Sequence, residues 1–217
     1  MKNMNDNNNV DYWNNLYAKD YFFGSGPTKL AKLAESILHN SNCKKILEVG
    51  CGQGRDATYF SQLGYDVEAF DISENAIKFI HQKKRILNLA NLNVLVHDVE
   101  KPFPYAANFF DFVYSNLALQ FFNENKLDQI FQNIHENMKK NSQFLFSTKK
   151  QGDKYYQFGN EINKNAYEHK GIVRYFYDEK TLKELLSNYF SILSFEYDSH
   201  TNQDKTISVW WKILLKK

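Results

Sequence analysis

The chain has 217 residues, a formal net charge of +2 and 43% hydrophobic residues, enough apolar side chains for one packed core to offset the entropy of ordering the backbone. Lys and Arg are scattered among Asp and Glu apart from short runs at 83–85 and 149–150, so no basic stripe marks a nucleic-acid partner. No run of about 18 apolar residues suits a membrane span and no apolar leader follows the Asn-rich start. Cys43 and Cys51 alone offer neither a disulfide framework nor a metal cluster, and the six histidines show no ligand spacing. The expectation is a single domain over 1–217, metal-free and unanchored, working in the cytoplasm as a monomer or weak homodimer.

Residues 1–10 are expected to be disordered and 11–40 to form an N-terminal helical cap. Within it Thr28 is a good N-cap for a helix over 28–39, where Leu30, Leu33, Ala34, Ile37 and Leu38 recur on one face. A strand over 45–49 stops at Gly50, and a helix over 56–63 ends at Gly64. A strand over 66–70, a helix capped by Ser73 and running to about 89, and strands over 92–96 and 110–114 follow. Leu127, Ile130, Phe131, Ile134 and Met138 mark an amphipathic helix before a strand over 143–147. Residues 149–175 show neither period and form a long excursion. A helix over 179–189 and strands over 192–197 and 206–215 close the chain, the last alternating at Ile207, Val209, Trp211, Ile213 and Leu215 and pairing antiparallel with its predecessor.

Repeated strand–helix units predict an α/β fold, a doubly wound and mostly parallel sheet whose ligands bind beyond the carboxyl ends of the strands. After the first strand, Glu48, Gly50, Gly52 and Gly54 place three residues lacking a Cβ where the backbone must turn into a helix and a ligand can approach. Arg55 stands where a dinucleotide fingerprint wants its last glycine, and no G-K-[ST] follows for a phosphate loop. Asp71 ends the second strand, where a carboxylate accepts from both hydroxyls of a ribose, or serves as the neighbour of the capping Ser73. After the third strand, Asp98 either accepts from an exocyclic amine or caps its loop, and His97 is a surface histidine or a proton acceptor. Ser115, Asn116 and Leu117 make a polar step into an apolar run ending at Gln120.

Residues 48–56 (EVGCGQGRD), Asp71 with Ile72, His97 with Asp98, and 111–120 (DFVYSNLALQ) resemble the class I S-adenosylmethionine-dependent methyltransferases. The resemblance implies a Rossmann-like seven-stranded sheet with an antiparallel C-terminal strand. Tyr12 and Trp13 through Tyr17, Tyr21, Gly24 and Pro27, with GQGRD, resemble the tellurite-resistance and thiopurine branch acting on small molecules. The stretch SNLALQ is similar instead to the carrier-protein-ester methyltransferase of biotin synthesis and to ubiquinone-type enzymes. By resemblance the cofactor is S-adenosyl-L-methionine. The loop of Gly50, Cys51, Gly52 and Gly54 would hold its methionine end, Asp71 the ribose, Ile72 an adenine face, and Asp98 and Val99 the adenine edge, with Glu48 a further cofactor-binding residue and Ser115, Asn116 and Leu117 near the methyl group. Arg55 would contact the cofactor carboxylate or pair with Asp56 or another nearby acid.

The implied reaction is methyl transfer to a small-molecule acceptor, for which no catalytic triad is needed because the donor's cationic sulfur already activates the methyl group. Tyr17, Tyr21, Gln120, Tyr167, His169 and Arg174 are the candidate acceptor contacts. The excursion over 149–175 is either a substrate lid or a surface loop whose aromatics complete the core, and His97, His169 or one of its tyrosines is the candidate base. Two alternatives stay open: a cofactor-binding protein without turnover, and a carrier-protein-bound or macromolecular acceptor.

Overall fold

The computed structural model describes residues 6–18, 24, 26–39 and 41–217. Helix α1 (Asp6–Tyr17) begins inside the stretch expected to be disordered. Tertiary contacts explain the difference: the Asn14 side-chain oxygen accepts from the Ser73 hydroxyl at 2.9 Å, and Trp13 packs edge-on against Phe121. Helix α2 (Lys29–Leu38) is capped by Thr28, whose hydroxyl accepts from the Ala31 amide, and buries Leu30, Ala31, Ala34 and Leu38.

Alternation then follows the expected order: β1 (Lys45–Val49), α3 (Arg55–Gln62), β2 (Asp66–Asp71), α4 (Glu74–Ile86), β3 (Leu92–Val96), β4 (Phe110–Asn116), a 3-10 turn at Leu119–Phe121, α5 (Glu124–Asn137) and β5 (Met138–Lys149). Ser73 caps α4 by accepting from the Ala76 amide. Strand β5 is longer than expected because it leaves α5 directly at Met138, which pairs with Phe110 ahead of a break in register.

Residues in the expected excursion fold into a three-stranded antiparallel sheet of β6 (Asn160–Asn163), β7 (Ala166–His169) and β8 (Ile172–Tyr175). Its four-residue strands are too short to show a period, and all of β6 is exposed, so no inside–outside alternation marks it. Helix α6 (Glu179–Ser187), β9 (Ser191–Thr201) and β10 (Ile207–Lys216) complete the chain.

The main sheet has seven strands in the order β3-β2-β1-β4-β5-β10-β9. Strands β1 to β5 are mutually parallel, and β10 is the antiparallel member, pairing with β5 on one side and β9 on the other. On β4, Phe112 and Tyr114 point into one core with Phe60, Ile80 and Leu145, whereas Phe110 and Val113 join Phe131, Phe144 and Phe146 in the other. Helices α2, α3 and α4 cover the first face and α5 and α6 the second. The strand order reverses between β1 and β4, and that switch point is where such sheets open a crevice.

Candidate active site

A cavity of about 1200 Å³ lies beyond the carboxyl ends of the central strands, walled by α1, the glycine turn, the 3-10 turn and the ends of β5, β8, β9 and β10. Its volume exceeds the roughly 300–1,000 Å³ typical of a site for one small ligand, so it has room for a donor and an acceptor together.

The glycine turn forms one wall. Gly50, Gly52 and Gly54 have φ of 71°, 51° and 68°, a region open to glycine and costly for other residues. A Cβ at Gly50 would stand 2.5 Å from that of Ala118, and one at Gly52 would stand 2.8 Å from the Tyr17 hydroxyl. A Cβ at Gly54 would instead meet Ile80 at 2.7 Å, on the α4 side. Gly54 is therefore a packing glycine and does not line the cavity, unlike Gly50, Cys51 and Gly52.

Asp71 braces this turn from below. Its Oδ2 accepts from the Gly52 amide at 2.8 Å and its Oδ1 from the Ser73 amide at 3.0 Å. The tie to the α4 cap is thus real, yet Asp71 also lines the cavity. Each carboxylate oxygen has a further lone pair for a hydroxyl donor. Burial raises the Asp71 pKa, opposed by these amide bonds.

Glu48 is buried near the carboxyl end of β1, and its Oε2 finds no hydrogen-bond partner among the described residues. Burial, followed by the charges of Asp56 and Asp71, pushes its pKa well above the carboxylate range. An orphaned acidic oxygen at a cavity wall suits a cationic donor group. Asp98 caps its own loop, with Oδ1 accepting from the Glu100 amide at 3.0 Å, while it, Val99 and Ile72 line the cavity.

Ser115 departs from its expected place: it is fully buried, and its hydroxyl donates to the Val49 carbonyl at 2.9 Å, stitching β4 to β1. Asn116 and Leu117 do line the cavity. The Asn116 side-chain oxygen accepts from Ser147, and the Leu117 amide donates to the Ser147 carbonyl at 3.1 Å. Leu117 is held at φ 53°, a left-handed conformation costing a leucine about 1–3 kcal/mol, of the kind that gathers at ligand sites.

Arg55 lines the cavity beside the turn. Its guanidinium bonds the carbonyls of Gly26 and Pro27, holding the entry to α2 over the turn. Asp56 instead accepts from the Thr28 amide at 2.8 Å, the Thr28 hydroxyl at 2.7 Å and the Tyr114 hydroxyl at 2.7 Å. This buried carboxylate locks α2, α3 and β4 together.

Tyr17, Gln120 and Arg174 line the remainder of the cavity. Gln120 leaves Oε1 and Arg174 leaves Nη1 buried without a partner among the described residues. Tyr167 and His169 are elsewhere: Tyr167 packs on Tyr156 and Phe176, and His169 on Phe158. They pack within the small sheet and the turn before it, away from the cavity. Tyr21 lies outside the described residues. Of the histidines weighed as bases, His97 lines the cavity, and burial between Phe70 and Phe103 lowers its pKa, keeping it neutral near pH 7.

The cavity also takes Tyr155 of the excursion and Lys149 of the basic run, and residues that the sequence pattern did not single out, among them Asp198 and Trp210. Trp210 carried a usable signal, because it is a large aromatic between Ser208 and Lys212 on one phase of the alternating strand β10.

A stretch of 95 residues is 38% identical to the probable S-adenosyl-L-methionine-dependent methyltransferase TehB of Haemophilus influenzae, spanning 42% of this chain and 31% of that protein's length. The crystal structure of TehB from Haemophilus influenzae superposes with a TM-score of 0.68 at 23% identity, covering 96% of this chain and 66% of that one. The 1,6-didemethyltoxoflavin-N1-methyltransferase of Burkholderia thailandensis, solved with bound 1,6-didemethyltoxoflavin and S-adenosylhomocysteine, shares the fold with a TM-score of 0.67 at 18% identity, covering 87% of this chain and 78% of that one. The model of the tellurite resistance protein TehB family matches residues 13–184, and with the glycine turn, acidic strand ends and seven-stranded sheet in place, the chain belongs to the TehB family.

Proposed function

We propose that the protein transfers a methyl group from S-adenosylmethionine to a small organic acceptor. One observation carries this reading: Glu48, Asp71 and Asp98, from the ends of three neighbouring strands, line a single cavity around a glycine turn, and Glu48 presents an acidic oxygen with no partner among the described residues. Glu48 with the turn of Gly50, Cys51 and Gly52 would hold the methionine end, Asp71 the ribose hydroxyls, Ile72 an adenine face, and Asp98 with Val99 the adenine edge. When bound, the donor supplies a methyl group on a positively charged sulfur. The chain's own residues then align the acceptor and exclude water. Asn116 and Leu117 fix the backbone on the acceptor side of the turn, and Trp13 packed on Phe121 closes α1 over the cavity. His97, neutral near pH 7 and lining the cavity, would take a proton from an alcohol or amine acceptor.

The small sheet contributes to the acceptor side through β8 and the turn before β6, so we assign it as a lid built from a rigid meander rather than a loose loop. The experiment is isothermal titration with S-adenosylhomocysteine and, separately, NAD. Binding near micromolar Kd, about −8 kcal/mol, is expected for the first and none for the second. The reverse pattern would overturn the reading.

A further inference from the structure

Lys149, Lys154 and Arg174 line the acceptor half of the cavity. Lys149, at the carboxyl end of β5, is almost buried and bonds Asp153, whose side chain is wholly inaccessible. The remaining capacity of Asp153 goes to backbone: Oδ1 accepts from the Tyr155 amide at 3.0 Å and Oδ2 from the Val209 amide at 2.8 Å. Arg174 and Lys154 lie within electrostatic reach of Lys149, and Lys154 is also within reach of Asp204. Asp198 lines the same region, but its Oδ1 accepts from the Ser199 amide at 2.8 Å.

Arg174 has no hydrogen-bond acceptor for Nη1 among the described residues. Its guanidinium carbon sits 4.7 Å from the ring centroid of Tyr155 and 5.8 Å from that of Phe121, and Nη1 is buried with no partner among the described residues. A guanidinium keeps its charge at any pH a protein tolerates, so an unpaired buried N–H on it is a cost that a ligand can relieve. Its planar fork matches a carboxylate with two parallel hydrogen bonds. Around it the walls are aromatic: Phe121, Tyr155, and Trp210, whose ring lies 5.9 Å from the Lys149 ammonium.

We propose that the acceptor is a flat organic molecule bearing a carboxylate, with the carboxylate docked on Arg174 under the field of Lys149 and the flat body between the aromatic walls. This rests on the methyl-transfer reading only in leaving the glycine-turn end of the cavity to the donor. The chemistry is more specific than positive charge alone, because a bare inorganic oxyanion would satisfy Arg174 and leave the aromatic walls uncovered.

The test uses the full chain saturated with S-adenosylhomocysteine, titrated with benzoate, its uncharged analogue benzamide, and sulfate, and followed by ligand-observed NMR. Benzoate should bind at least about tenfold more tightly than benzamide, as expected for a hydrogen-bonded charge pair, and more tightly than sulfate. Arg174→Gln should weaken benzoate by about tenfold or more and leave S-adenosylhomocysteine affinity within about twofold. Arg174→Lys, which keeps the charge without the fork, should fall between them and gives the same information if the Gln variant does not fold. Equal binding of benzoate and benzamide, benzoate binding indifferent to both substitutions, tighter binding of sulfate, or no benzoate binding overturns the proposal. Failure of the wild type to bind S-adenosylhomocysteine would instead sink the methyl-transfer reading itself.

Discussion

Replacing Glu48 by Gln should make the folded protein more stable at neutral pH while weakening its hold on the donor. Glu48 is 4% exposed, flanked across β1 by Ala69 on β2 and Tyr114 on β4, and its carboxylate accepts from the Ala57 amide at the start of α3. Its folded-state pKa is raised, first by burial and then by Asp56 and Asp71. The folded protein therefore keeps a proton that the unfolded chain releases above about pH 4.3. Stability is fully present below that pH and is lost as pH rises through the folded pKa, at about 1.4 kcal/mol for each pH unit of the window. Gln keeps an acceptor for the Ala57 amide and carries no charge. The stability difference between variant and wild type should then be near zero at about pH 4 and reach at least ~1.4 kcal/mol in favour of the variant by about pH 8. The same substitution removes a charge-assisted bond to the donor ammonium worth about 1.5–3 kcal/mol, so Kd for S-adenosylhomocysteine should rise roughly 10- to 100-fold. Urea denaturation of both proteins across that pH range, with titration calorimetry at the alkaline end, measures both effects. A variant less stable than wild type at pH 8, a difference that does not change with pH, or unchanged donor affinity would refute the reasoning.

Asp71→Asn leaves either the Gly52 or the Ser73 amide facing an NH₂ group, which should cost about 1–3 kcal/mol of stability and weaken S-adenosylhomocysteine binding roughly 10-fold or more; calorimetry on the folded variant reads both. Gly54→Ala combines a left-handed backbone with a Cβ 2.7 Å from Ile80, so chemical denaturation should show a loss of roughly 2–5 kcal/mol. A loss under about 1 kcal/mol would mean that α4 moves away at little cost. Asp56→Ala strips the acceptor from two Thr28 donors and the Tyr114 hydroxyl and should lower stability by about 3–5 kcal/mol, with hydrogen exchange rising first in α2.

The strand–helix rhythm was legible because each element carries its own period and cap: Thr28, Ser73 and the alternating residues of β10 all stand where their patterns place them. The glycine turn was legible as well, since positive φ and close contact leave few residue types for Gly50 and Gly52. Gly54 and Ser115 share motifs with cavity-lining neighbours but face α4 and β1, and residue spacing does not reveal which side of a turn a side chain takes. Arg55 and Asp56 were expected near each other as a possible pair, yet each is recruited by the segment of residues 26–28, a long-range choice invisible in local sequence. The small sheet escaped because its strands are shorter than the window needed to see alternation. Arg174 was a candidate by type alone; its orphaned Nη1 and its place against Tyr155 and Phe121 appear only in three dimensions.

The most direct test of methyl transfer is incubation of the full chain with methyl-labelled S-adenosylmethionine and the small-molecule fraction of a cell extract, followed by separation of the products. Label should leave the donor and appear on an organic acid, with one S-adenosylhomocysteine formed for each methyl transferred. Tight S-adenosylhomocysteine binding with no label leaving the donor in the presence of the whole extract would contradict the account and make the protein a cofactor-binding module without turnover.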